Sequence, residues 1–286
     1  MMWDQASFLR NLTRSQPAKK RARVITVASG KGGVGKTNLV VNLGIVLARR
    51  GQVTTIVDAD LGLANVDVVL GQYFDFDLEH VLKGEKHLDE IIGMGPYGLR
   101  IVPSASGVPE MADMEKEQRD RLITELATLE HSTDILLIDT GAGISRNVLA
   151  FANLADEVII VVTPEPTSLA DAYGLVKLLV QTRVATKISL VVNRALNYQD
   201  GKVTGERFLT IAERFLHHKI KFLGSIPDDP IVSQAVRRQH PFVLSHPDSY
   251  VSRQLEVIAQ SIIGGGGQGV EGKGLLAGLR RIFGGS

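Results

Sequence analysis

At 286 residues, with 44% hydrophobic and 22% charged content, the chain is long enough for one large α/β domain or two small ones, which excludes a disordered polymer. Its 32 Lys plus Arg against 31 Asp plus Glu leave a formal charge of +1, so there is no global pull toward nucleic acid or acidic lipid and any such contact is local. The absence of cysteine removes disulfides, thiolate metal sites, cysteine nucleophiles and cysteine-held iron–sulfur clusters together.

In chain order, the start MMWDQASFLR carries charges where a secretory signal would place its apolar run. No segment reaches the roughly 18 unbroken apolar residues of a spanning helix, so a cytoplasmic protein, at most peripheral to a membrane, is expected. Residues 10 to 23 hold six Lys or Arg around Pro17 and no acid, the composition of a basic linker. From about residue 23 to residue 262, β-branched runs alternate with amphipathic segments. RVITVAS, VTTIVDAD, GLRIVP, DILLID, EVIIVVT, KISLVVN and KFLGSI are continuously apolar, as strands buried on both faces should be. NLVVNLGIVLARR, EQRDRLITELATLE, SLADAYGLVKLLVQTR and GERFLTIAERFLHH show apolar residues at helical spacing. One doubly wound α/β domain, a mainly parallel sheet with helices on both faces, is the economical reading. Ile263 to Gly274 is glycine-rich and reads as a flexible tether. Residues 275 to 286 then place Leu275, Leu276, Leu279, Ile282 and Phe283 on one helical face, with Arg281 opposite and Lys273 and Arg280 at its flanks.

The first chemical signal is GKGGVGKT, Gly30 to Thr37, which fits the phosphate-loop pattern directly after a predicted strand and directly before a predicted helix. Such a loop turns the backbone N–H groups of Gly30, Lys31, Gly32, Gly33, Val34 and Gly35 around a phosphate, sends Lys36 to the β and γ oxygens, and offers the Thr37 hydroxyl to magnesium. ATP and Mg2+ are the expected cofactors. Lys31 is not required by that geometry.

Here KGGVGKT resembles the KGGxxGK[ST] stretch of the deviant Walker A ATPases, the family of MinD, ParA and the nitrogenase iron protein; the resemblance covers about residues 23 to 262. It implies that Lys31 reaches across a nucleotide-sandwich homodimer to the partner's phosphates, so that hydrolysis waits for dimerisation. It implies a water-positioning role for Asp60, while Asp58, ending the same strand, suits the magnesium shell. DILLIDTGAG resembles a Walker B strand, with Asp139 a second-shell magnesium partner and Gly141 to Gly143 a switch sensing the γ-phosphate. Asn193, Arg194, Pro227 and Asp228 end later strands where the family holds the adenine. Asn38 stands where many members carry a small hydroxyl residue, and little consequence for phosphate binding is expected.

Lacking cysteine, the chain cannot belong to the cluster-holding branches. The terminal helix resembles MinD's membrane-targeting tail, and Leu275, Leu276, Leu279, Arg280, Arg281, Ile282 and Phe283 are expected at an anionic membrane surface, held firmly only when two copies act together. Asp4 to Arg10, DQASFLR, resembles the DQAxxLR activator motif of the MinD-like regulators of flagellar number and placement. That implies stimulation of the signal-recognition-type GTPase FlhF through Asp4, Gln5, Ala6, Phe8, Leu9 and Arg10, with Gln5, which lies inside the apolar stripe of Met2, Leu9 and Leu12, helping to orient water. Flagellar C-ring switch proteins are further partners by the same resemblance, with no residues assigned, and no specific nucleic acid is expected. Alternatives are a ParA-like switch gripping DNA nonspecifically, a septum-site MinD, and an ATP-bound adaptor that sequesters a transcription regulator; near-neutral charge and the amphipathic tail argue against the first.

Overall fold

The computed structural model describes residues 21–60, 65–104, 115–182 and 187–265. Asp4 to Arg10 and Leu275 to Phe283 lie outside them.

In chain order the elements are β1 (Arg23–Ser29), α1 (Lys36–Arg49), β2 (Thr54–Ala59), α2 (Val66–Leu70), α3 (Leu78–Lys83), α4 (Leu88–Ile91), β3 (Gly93–Met94), β4 (Arg100–Val102), α5 (Lys116–Thr128), β5 (Ile135–Ala142), α6 (Arg146–Leu154), β6 (Glu157–Val162), α7 (Pro166–Gln181), β7 (Ile188–Ala195), α8 (Tyr198–Leu216), β8 (Lys221–Pro227), α9 (Pro230–Arg237), α10 (Phe242–Ser245) and α11 (Tyr250–Gly264). The strands form one sheet in the order β3-β4-β2-β5-β1-β6-β7-β8, parallel except for the β3–β4 pair. β1 sits centrally between β5 and β6. That is a doubly wound α/β fold.

Why the central strands read as unbroken apolar runs is clear from their alternation. Ile25 and Val27 face a core shared with α1 and α11, while Val24 and Ala28 face the opposite layer, built with α5, α6, α7 and α8. Both faces are dry, so neither register position tolerates a charge. Because the strands run parallel, their carboxyl ends share one edge of the sheet, and the loops after β1, β2, β5, β6, β7 and β8 converge there.

Two expected boundaries move. Arg21 and Ala22 belong to the domain rather than to the basic linker: Arg21 pairs with Glu130 and Asp156, and Ala22 is buried with its N–H donating to the Glu130 carbonyl at 2.9 Å. At the other end Ile263 and Gly264 continue α11 instead of opening the tether. Ile263 packs on the core, Arg23 donates to the Ile262 carbonyl, and Lys221 Nζ donates to Ser261 Oγ at 2.9 Å. Cationic donors at the last turn satisfy carbonyls that a helix end leaves free and complement its dipole. Arg23 also meets Glu157, a buried carboxylate shared with Lys187 at 3.0 Å and Ser189. Burial works to raise its pKa, but Ser189, Lys187 and Arg23 outweigh it and hold the group below the usual range. The chain's two described ends are therefore fixed at neighbouring points on the amino edge of the sheet, opposite the loops.

Candidate nucleotide site

The loop between β1 and α1 forms the floor of a cleft of about 820 Å³ at the carboxyl edge. That volume lies within the ~300–1,000 Å³ of small-molecule sites. The loop's path leaves no room for side chains at two glycines. A Cβ on Gly30 would stand 2.3 Å from the Asp171 backbone, and one on Gly35, at φ +84°, would meet Asn193 Nδ2 at 2.4 Å. Asn193 in turn donates to the Val34 carbonyl at 2.7 Å, so β7 braces the loop from below. Helix α1 begins at Lys36, aiming its free N–H groups into the cleft.

Lys36 is buried, donating to Asp139 Oδ1 at 3.0 Å and to the Thr140 carbonyl. The parallel pairing of β2 with β5 sets Asp58 beside Asp139 in register. Both Asp58 oxygens accept backbone N–H groups: Oδ1 from Asp60 at 3.1 Å, Oδ2 from Asn65 at 3.0 Å and Val66 at 3.3 Å. Asp58 thus shapes the turn that carries Asp60. Burial first, then the Asp139 charge, push its pKa up to about 7 against the three N–H contacts. Asp60 is half-buried beside the loop, and a Cβ on Gly141 would come within 3.3 Å of its Oδ1. Burial and Asp139 raise its pKa, while Lys36 opposes them. Gly143, at φ +86°, is tied back to β1 by its N–H on the Ser29 carbonyl at 2.9 Å.

The Asp58 shift has a consequence for the nucleotide-free protein. Its folded pKa lies near 7 against an ordinary 3.8, so the stability it contributes is fully present below about pH 4 and is lost as pH rises through about 7. Urea midpoints of the Asp58→Asn variant are expected to vary less with pH across that window than those of the parent. An equal slope in both proteins removes Asp58 as its source.

Magnesium and a nucleotide fit the residues present. Asp139 Oδ2 is buried with no hydrogen-bond partner, a costly arrangement that a cation or its water would relieve. Among the described residues no cluster of three His, Asp or Glu side chains forms a ready-made cation cage. A magnesium ion held by Thr37, a carboxylate shell and phosphate oxygens needs none.

The structure brings most of the expected residues to this one cleft. Gly32 to Asn38, Asp60, Asn193, Arg194, Pro227 and Asp228 line it directly. Arg194 adopts φ +56° and places Nε 3.6 Å from Asp228 Oδ1. Lys31 is set apart: its Nζ lies on Glu165 Oε2 at 2.5 Å and Thr167 Oγ1 at 3.1 Å, at the start of α7. Lys31 depresses the Glu165 pKa by hydrogen bond and charge. Sequence reasoning missed Glu165 and Thr167, although EPT two residues after a buried strand is a recognisable helix start. It also missed an apolar wall of Val68, Val69, Val232, Val236 and Phe242, brought together from α2, α9 and α10.

A phosphate loop between a central parallel strand and a helix, with a buried lysine on an aspartate of the neighbouring strand, defines a P-loop NTPase. A family model described as "ParA: NUBPL iron-transfer P-loop NTPase" matches residues 20–263. The chain is 40% identical over 240 residues to the antiactivator FleN of Pseudomonas aeruginosa, covering 84% of this chain and 86% of that protein. It is 33% identical over 270 residues to the flagellum site-determining protein YlxH of Helicobacter pylori, covering 92% and 91%. Among solved structures, the septum site-determining protein MinD complexed with Mg-ADP from Pyrococcus horikoshii superposes with a TM-score of 0.70 at 26% identity, over 87% of this chain and 99% of that one. The chain belongs to the ParA/MinD family of P-loop NTPases, and it is a MinD/ParA-like ATPase. Among the described residues no helix is long and apolar enough to cross a membrane.

Proposed function

We propose that the chain is an ATP-dependent switch controlling flagellar number or placement: ATP closes a homodimer, the dimer holds an anionic membrane through residues 275 to 286, and hydrolysis resets it. The observation that carries this reading is the separation of the two lysines. Lys36 is buried in the cradle on Asp139, whereas Lys31 stands clear on Glu165 and Thr167. A second charge kept out of the chain's own cradle is suited to a neighbour's phosphates. The names of FleN and YlxH support the flagellar output.

In this account Lys36 exchanges Asp139 Oδ1 for phosphate oxygens, and the α1 N–H groups hold the anion from below. Thr37 and Asp58 would hold magnesium, with Asp139 as its second-shell partner, and the ion would supply charge neutralisation at the phosphates. Asp60 accepts a hydrogen bond from the attacking water, and Gly141 to Gly143 follow the γ-phosphate. Asn193, Arg194, Pro227 and Asp228 receive the base. The Asp4 to Arg10 segment stimulates the FlhF-type GTPase.

Co-sedimentation with anionic vesicles tests the proposal, comparing the intact chain with one ending at Gly274. The intact chain should pellet with ATP and not with ADP, and the shortened chain with neither. Vesicle binding indifferent to nucleotide, or unchanged by the truncation, refutes the switch. FleN's description as an antiactivator favours a second reading, an ATP-bound adaptor that sequesters an activator. Asp60→Ala separates them: an adaptor keeps its output, whereas a cycling switch locks.

A further inference from the structure

Helix α1 is buried around most of its circumference, and one of its fully buried positions is polar. Asn42 is 0% exposed between Val41 and Leu43, which are equally buried. An amide there is costly unless every donor and acceptor is met. Its Nδ2 donates to the Asn38 carbonyl at 2.8 Å and to Asn38 Oδ1 at 2.9 Å, one turn closer to the phosphate loop. Its Oδ1 accepts the N–H of Val243 at 3.2 Å, 201 residues away. Val243 lies in α10, whose preceding residue Phe242 lines the apolar wall of the cleft, and Asn38 lines the cleft beside Thr37.

The Val243 N–H is one of the four that a helix start leaves without an intrahelical partner, so α10 depends on Asn42 for a partner that its own turn cannot supply. A leucine at position 42 would suit the surrounding core better and could do neither job. Asn38, which follows the phosphate loop directly, is also the near end of this bridge.

We propose that Asn42 is a positioning residue: it fixes the Pro241–Ser245 segment, and with it the apolar wall that α9 carries on from Pro227 and Asp228, at a set distance from the phosphate loop, so that this wall is built before ligand arrives. The inference rests on the nucleotide reading of the cleft. A residue that only stabilised the fold would affect all ligands alike; this one affects the end of the ligand that reaches the wall.

The experiment is calorimetric titration of full-length parent and Asn42→Ala with MgATP and, separately, with magnesium tripolyphosphate, which has the phosphates and no base. In the variant MgATP should weaken by roughly tenfold while tripolyphosphate stays within about twofold. Equal weakening of both, or of neither, overturns the positioning role while leaving the nucleotide site standing. If the parent binds neither ligand, the nucleotide reading itself fails and the inference goes with it. Should the variant not fold, amide hydrogen exchange of the ligand-free parent decides. The Val243 amide should exchange as slowly as the buried amides of α1. Exchange as fast as that of an exposed turn overturns the bridge.

Discussion

Replacing Lys31 with alanine is expected to leave MgATP affinity within about threefold of the parent while lowering hydrolysis by 10³-fold or more, the order seen when a cation supplied in trans to a phosphoryl transfer is removed. The reason is geometric. Lys31 Nζ is spent on Glu165 and Thr167 outside the cradle, so ground-state binding within one chain loses little when it goes. The charge that builds on the γ-phosphate during transfer loses a stabilising partner, and an interaction made only there lowers turnover without changing affinity. Single-turnover hydrolysis alongside equilibrium binding reads the two separately. If Lys31→Ala weakens binding by the same factor as hydrolysis, the lysine serves its own chain's nucleotide and the dimer argument fails.

Lys36→Met should fail in the opposite way, losing MgATP affinity by 10²-fold or more and stability besides. Its side chain is 8% exposed and that of Asp139 1%, and their contact is 3.0 Å. Removing one member of a buried pair leaves the other without counter-charge, typically costing about 3–5 kcal/mol. Lys36→Met combined with Asp139→Leu should regain most of the stability and none of the affinity, as replacing a whole buried pair by apolar groups is often near neutral. A double variant as unstable as the single one would place the damage in the loop's packing instead of the ion pair.

Much of this architecture was legible because the informative signals are local. A glycine loop between an apolar strand and an amphipathic helix carries its own context, and strands such as Glu157–Val162 announce burial on both faces by lacking alternation. What escaped depends on contacts between distant segments. The stretch from Val66 to Ile91 folds as three helices of four to six residues, too short for periodicity to register; α3 begins on an Asp77 side chain that accepts from Glu79 N–H. The two-residue β3 exists only by pairing with β4. The site showed the same division. Lys31, Lys36, Asp60 and Asp139 were readable from motif and resemblance, whereas Glu165 and Thr167 lie 134 and 136 residues from the lysine they hold. Asn42 looked like an ordinary helical residue. Its role became visible only when Val243 was found opposite it.

The proposed switch turns on one event, the closing of two copies over ATP, and the mass of the chain in solution tests it most directly. Light scattering of the full chain with magnesium should give the 31.0 kDa monomer with ADP and twice that mass with ATP when hydrolysis is blocked by Asp60→Ala. A monomer in both nucleotide states, at concentrations where ATP saturates the site, would contradict the switch and leave Lys31 without a partner to reach.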